Sequence, residues 1–292
     1  MTKITVVSTN DPVYGVNKSL ELLEINPVKG KNVIFKPNFN TADPPPASSS
    51  METIKQLIIK IKEMGAKSIT VAERSGPANT AKTFEEKGLY VLAEELDFSI
   101  VDLTDVPDNQ YVFKKSEDFH WKDGFLFAKI YDDAECIVET CCLKTHMYGG
   151  HFTLSLKNAV ALVHRKYMGE LHSSKHQRKM IAEINSLYKP DLIIMDGLIT
   201  FVDGGPMEGT RKEANVFISG TDKVAIDAVG VAILRILGTT PEVTKGSILE
   251  QEQIKRAVEL GVGITSPNEI EFITDSEEAE KLVLQIREKL NE

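Results

Sequence analysis

Residues 144–158 read KTHMYGGHFTLSLKN, so that two lysines, two histidines, a Gly-Gly pair and an asparagine fall within fifteen positions. An imidazole titrates close to neutrality and can exchange a proton with a substrate at pH 7. A lysine ammonium holds carboxylate or phosphate, and a desolvated lysine becomes a nucleophile. Paired glycines let backbone N–H groups approach an anion closely. On this basis Lys144 and His146 are candidate catalytic groups. Gly149, Gly150, Lys157 and Asn158 are candidate ligand-binding positions.

The surrounding charge supports that assignment. The chain carries a formal net charge of −9, yet residues 141–180 contain seven Lys/Arg and a single acid, Glu170, with five of the six histidines. Such segregation creates a local positive field suited to an anionic ligand. Within it, Arg165, Lys166, Arg178 and Lys179 read as a solvated basic face. His172 and His176 have a four-residue spacing that would put both on one helical face, but HSSKH lacks the glutamate of HExxH, so no general base is built into it.

These side chains need a scaffold. Apolar, β-branched runs at 3–7, 32–36, 68–72, 99–103, 135–140, 192–196 and 215–219 read as buried strands. Helical spacing recurs at 51–64, 83–96, 176–188, 222–237, 249–260 and 276–290. Alternating strands and helices predict an α/β fold: a mixed, mostly parallel sheet flanked by helices, Rossmann-like or doubly wound. We expect one α/β domain over 1–292, with a hairpin insertion at 104–130. Residues 197–213 read as a long Gly-rich loop between two strands.

In open parallel sheets, ligands bind beyond the carboxyl ends of the strands. Four expected strands break there into polar groups: Lys36-Pro37-Asn38, Glu73-Arg74-Ser75-Gly76, Lys144-Thr145-His146, and Asp196-Gly197 leading to Asp203-Gly204-Gly205. Convergence of these groups on one edge adds Lys36, Asn38 and Gly205 as ligand-binding positions and Asp196 as a catalytic one. Asp222 could cap the helix that follows 215–219, or reach the ligand. Asp227 lies on the apolar stripe of that helix, where a carboxylate needs a partner. It is expected either to pair with Lys36 or Lys144, or to hold a divalent cation with Asp196 and Asp203.

Composition narrows the partners. A pI near 5.3 argues against nucleic acid and an anionic membrane surface. No run approaches the roughly 18 apolar residues of a membrane span, and no secretory leader is evident, so we expect a cytoplasmic protein. Cys136, Cys141 and Cys142 show no CxxC spacing and read as buried small residues. There is no GxGxxG after the first strand and no GxxxxGK[ST], which argues against a dinucleotide or P-loop site.

The stretches VIFKPNFN, LKTHMYGGHFTLSLKN, MDGLITFVDGGPMEGT and ISGTDKVAIDAVG resemble the domain-of-unknown-function 362 family across roughly 30–240. The resemblance carries the family's recurrent polar positions onto Lys36, Asn38, Lys144, His146, Lys157, Asn158, Asp196, Gly205, Asp222 and Asp227. Many members carry an added ferredoxin-like 4Fe-4S module. This chain has no CxxCxxC run, so a cluster held by this chain alone is not expected.

The expected activity is therefore an enzyme acting on a small carboxylate or phosphate. Lys36, Lys144 and Lys157 would clamp the anion, His146 would move the proton, and Asp196 or Asp227 would orient it. Alternatives are an iron–sulfur-associated redox or accessory protein working with a ferredoxin-like partner, and a non-catalytic small-molecule binder. A homo-oligomer is compatible with either.

Overall fold

A computed structural model describes residues 1–292. The chain opens with β1 (Thr2–Ser8), α1 (Pro12–Leu23), β2 (Asn32–Lys36), α2 (Met51–Glu63), β3 (Ser68–Glu73), α3 (Thr80–Glu86), α4 (Leu89–Leu96) and β4 (Ser99–Asp102). A small hairpin follows, β5 (Tyr111–Lys114) and β6 (Phe125–Ala128), then α5 (Lys129–Asp132). The segment bearing the histidines and lysines comprises β7 (Cys136–His146), β8 (His151–Thr153), α6 (Ser155–Asn158), α7 (Met168–Ser173) and α8 (Gln177–Asn185). The remainder is β9 (Leu192–Gly204), β10 (Gly209–Gly220), α9 (Lys223–Leu237), α10 (Pro241–Thr244), α11 (Glu252–Glu259), β11 (Ile270–Thr274) and α12 (Glu277–Leu290).

Nine strands form one sheet in the order β11-β1-β10-β9-β7-β2-β3-β4, with β8 paired to β7. Pairs β9/β7, β7/β2, β2/β3 and β3/β4 are parallel; β10 is antiparallel to both neighbours. The expected mixed, mostly parallel α/β sheet is therefore present, and it is covered on both faces. Val16, Leu20, Ile54, Leu57 and Ile61 of α1 and α2 pack on one side. Helices α9, α11 and α12 cover part of the other side, and α8 with the β5–β6 hairpin covers the rest. Burial on both faces explains the continuous apolar strands. Strand β7 shows this most fully, since all eleven of its residues are buried.

Two expectations need correction. Residues 197–213 are not a loop. Strands β9 and β10 continue through them as a long antiparallel hairpin, with Gly209 opposite Gly204. Polar residues break the apolar run after 196, but the ladder does not end there, because the far part of the hairpin is exposed at Asp203 and throughout 209–213 and so tolerates charged side chains. The helix expected over 83–96 is two helices separated at Gly88, whose φ of 71° takes it out of the helical region.

A cavity at the carboxyl ends of three parallel strands

The carboxyl ends of β2, β3 and β7 open onto a cavity of about 600 Å³. From these strand ends come Asn38 and Asn40, Glu73 and Arg74, and Lys144 and His146. Thr153, beside Lys144 on β8, and Lys157, Asn158, Arg165 and His172 line it as well, together with Tyr148, Pro206 and Met207. The size is that of an ordinary small-molecule site.

The floor is one continuous hydrogen-bond network. Lys36 Nζ donates to Glu73 Oε2 at 2.7 Å, to the Pro37 carbonyl at 2.7 Å and to Asn158 Oδ1 at 3.0 Å. The same Asn158 oxygen accepts from Asn38 Nδ2 at 3.3 Å, and Asn38 Oδ1 accepts from Lys144 Nζ at 2.9 Å. Lys144 also donates to the Ala47 carbonyl. Four residues singled out in the sequence, Lys36 and Asn38 from one segment and Lys144 and Asn158 from another, thus meet in one place. They do not all act as anion clamps, however. Lys36 is fully buried behind Glu73 and does not line the cavity, so its charge is already matched.

Lys157 is different. It is buried, lines the cavity and is paired with no carboxylate or carbonyl. Burial and the like charges of Lys144 and Arg74 lower its pKa to about 8. Burial likewise lowers Lys144, and it brings Arg74 down to about 10 with Arg165 adding repulsion. His146 is held neutral for the same reasons: burial first, then Lys157 and Lys144. The cavity is thus a crowded cationic pocket in which positive charge is under strain.

Unpartnered polar atoms gather on this wall. Asn40 Nδ2, Arg74 Nε, His146 Nδ1 and Thr153 Oγ1 are all buried without a hydrogen-bond partner, and all four residues line the cavity. Buried polar groups are nearly always satisfied, so four residues of one cavity lining that each hold a free polar atom make this lining the candidate site.

The turn between β7 and β8 sets the spacing of this wall. Gly149 has φ of 77°, and its N–H is taken by the Met147 carbonyl at 3.0 Å, so it is not free for an anion as expected from the sequence. Neither glycine lines the cavity. A Cβ on Gly150 would stand 2.8 Å from Lys157 Cε and 2.9 Å from His146 Nδ1, so its bare Cα lets both side chains pack against the turn. Gly205 works similarly: a Cβ there would lie 2.1 Å from the Thr145 carbonyl, and its absence lets Pro206 and Met207 line the cavity.

Four carboxylates fall elsewhere. Asp196 is in mid-strand, not at a strand end, and its side chain accepts from Thr53 Oγ1 at 2.7 Å and Leu198 N at 3.1 Å on the face covered by α2. Asp227 lies on the other face, where it accepts from the backbone N–H of Ser155 at 2.8 Å rather than pairing with Lys36 or Lys144. Burial raises both carboxyls. Asp203 is exposed on β9, so the three cannot share a cation, and no three His, Cys, Asp or Glu side chains converge as metal ligands. Asp222 caps α9, accepting from Ala225 N at 2.9 Å. It lies at the far edge of the sheet because β10 runs antiparallel to the site-bearing strands.

Other residues also part from expectation. Arg165 is exposed, as expected, but it also donates to the carbonyls of Ser75, Gly76 and Ala78 and lines the cavity. Arg178 pairs with Glu252 at 2.6 Å. His172 and His176 do not share a helix, since α7 ends at Ser173; His172 faces the cavity, and His176 packs against His120 with ring centroids 4.6 Å apart. Cys136 and Cys142 lie on one face of β7, roughly 20 Å apart at strand spacing, and Cys141 lies on the other, so the three cannot ligate one cluster. Asn40, Arg165 and His172 were not singled out as site residues; they sit in loops or short helices with no periodic pattern to mark their facing.

Known proteins supply a family more than a function. The chain is 24% identical over 251 residues to a thylakoid-associated protein of Synechocystis sp., covering 82% of this chain and 74% of that one. It also resembles the lactate racemase apoprotein from Thermoanaerobacterium thermosaccharolyticum with a TM-score of 0.45 and 14% identity, covering 75% of this chain and 54% of that one. It therefore spans about half the length of that solved structure. No helix is long and apolar enough to cross a membrane. Residues 33–232 match the model of a domain of unknown function, DUF362, and the chain belongs to that family.

Proposed function

We propose that the protein is a cytoplasmic enzyme acting on a small anionic molecule, a carboxylate or phosphate, in the cavity at the ends of β2, β3 and β7. The observation that carries this reading is the cluster of unpartnered Asn40, Arg74, His146 and Thr153 atoms around the unpaired Lys157. An anion entering there would meet the Arg74 and Asn40 side chains and offset the repulsion among Lys144, Lys157 and Arg74. The same neutralisation would raise the basicity of His146, whose neutral ring could then accept a proton from the bound molecule. Anion binding and acid/base competence are therefore coupled through charge.

A melting screen against small carboxylates and phosphates tests this. Binding should raise the melting temperature of the wild type, more weakly for Lys157→Met, and by a pH-dependent amount that His146→Gln abolishes. A panel that shifts nothing, or shifts all three proteins equally, would sink the assignment.

A further inference from the structure

We infer that Lys157 forms an imine with the carbonyl carbon of a 2-oxo acid whose carboxylate is held by Arg74 and Asn40. The inference rests on the anion-binding reading above and deepens it by naming the substrate class. Of the two lysines on the cavity wall, Lys144 has its ammonium occupied by Asn38 Oδ1 and the Ala47 carbonyl. Lys157 has no such partner, and its neighbours are cations. A lysine beside other cations in a desolvated pocket is the arrangement that yields a neutral, nucleophilic amine near physiological pH. Its pKa of about 8 leaves an appreciable unprotonated fraction there.

The neighbouring groups fit the reaction. A 2-oxo acid offers an anionic end and an adjacent electrophilic carbon. Arg74 and Asn40, which line the cavity and each hold an unpartnered donor, suit the carboxylate, and Thr153 beside them suits the keto oxygen. The Lys157 nitrogen adds to the carbonyl carbon, a C–N bond forms, and the C=O π pair moves to oxygen. His146, which packs with Lys157 against Gly150, carries one N–H proton to that oxygen, giving a carbinolamine, and then relays the second N–H proton to the hydroxyl so that it can leave as water. The C–O bond then breaks, water departs, and the nitrogen lone pair closes the C=N bond. Amine and ketone give imine and water, with no oxidant or reductant involved.

The test is reductive trapping. Wild-type protein is incubated with pyruvate or 2-oxoglutarate and sodium borohydride, then analysed by intact mass and peptide mapping. In parallel, melting shifts are read for each oxo acid and for lactate and 2-hydroxyglutarate, which cannot form imines. One reduced adduct per chain, mapped to Lys157, rising with pH through about 8 and lost in Lys157→Arg, is the expected result. Lys157→Met serves as a second variant, with circular dichroism to establish that both fold. Melting shifts from oxo and hydroxy acids alike, without an adduct, would overturn the imine while leaving the anion site standing. Neither shift nor adduct would overturn both. Adducts spread over exposed lysines and unchanged in the variants would also overturn the imine.

Discussion

The carboxylate of Asp227 accepts the backbone N–H of Ser155 at 2.8 Å and also that of Leu156, two residues and one residue before Lys157. A buried helix side chain thereby fixes the start of α6, the single turn that delivers both Lys157 and Asn158 to the cavity. Asp227 touches no cavity atom, so its role is one of positioning.

Removing this anchor should loosen the wall. Asp227→Ala strands two buried N–H groups, at about 1–3 kcal/mol each. Asp227→Asn keeps an acceptor oxygen and should recover most of the lost stability. Denaturant unfolding of the pair, together with ligand affinity, checks this. If Asn proves no better than Ala, the hydrogen bonds to α6 are not what matters.

The Lys36–Glu73 pair is buried on both sides. Glu73→Gln leaves an unmatched ammonium under the cavity floor and should cost about 3–5 kcal/mol. The double change Lys36→Met/Glu73→Leu should be far milder than the sum of the two single changes. A double-mutant cycle by urea unfolding measures the difference.

Lys157 should make stability rise with pH. Its folded pKa of about 8 is below the unfolded value of 10.5, so the unfolded chain binds more protons across that window. Below pH 8 the cost of the buried charge is fully present; above pH 10.5 it is gone. Relative to Lys157→Met, the wild type should therefore gain up to about 3 kcal/mol between pH 7 and pH 10.5. Melting curves of the two proteins across this range would show a constant gap if Lys157 titrated normally.

His146 carries the opposite end of the pH range. Its folded pKa lies below the usual imidazole value because of burial and the nearby lysines, so the stability it contributes is present above pH 6.5 and is lost as pH falls below it. His146→Gln should flatten this part of the acid limb, as read by melting temperature between pH 7 and pH 4.5.

Gly150→Ala isolates geometry from charge. The added methyl would press on Lys157 Cε and His146 Nδ1, displacing both. Ligand affinity should fall by roughly tenfold or more, since small misplacements at a site are costly, while overpacking removes only about 1–3 kcal/mol of stability. Unchanged affinity would show that neither side chain touches the ligand.

Much of this was legible in one dimension. The runs 32–36 and 68–72 matched β2 and β3 closely because largely buried parallel strands need nearly unbroken apolar sequence, and Asn38 and Arg74 beyond them, with His146 at the end of β7, lay where parallel topology places a site. What misled was Asp196 and Asp222. Both follow apolar runs as polar terminators should, but β9 continues past the first, and β10 runs backwards before the second. A local pattern carries neither strand length nor direction.

By itself, then, the sequence determined the α/β class, the strands that carry the site, and the concentration of basic and imidazole groups in one segment. Only the tertiary structure decided which lysine is spent and which is free. Lys36, Lys144 and Lys157 are the same residue type at equally suggestive positions, and what separates them is whether Glu73, Asn38 or nothing lies within reach of the ammonium. Pairing is a property of distance in space, which residue type and spacing along the chain do not encode.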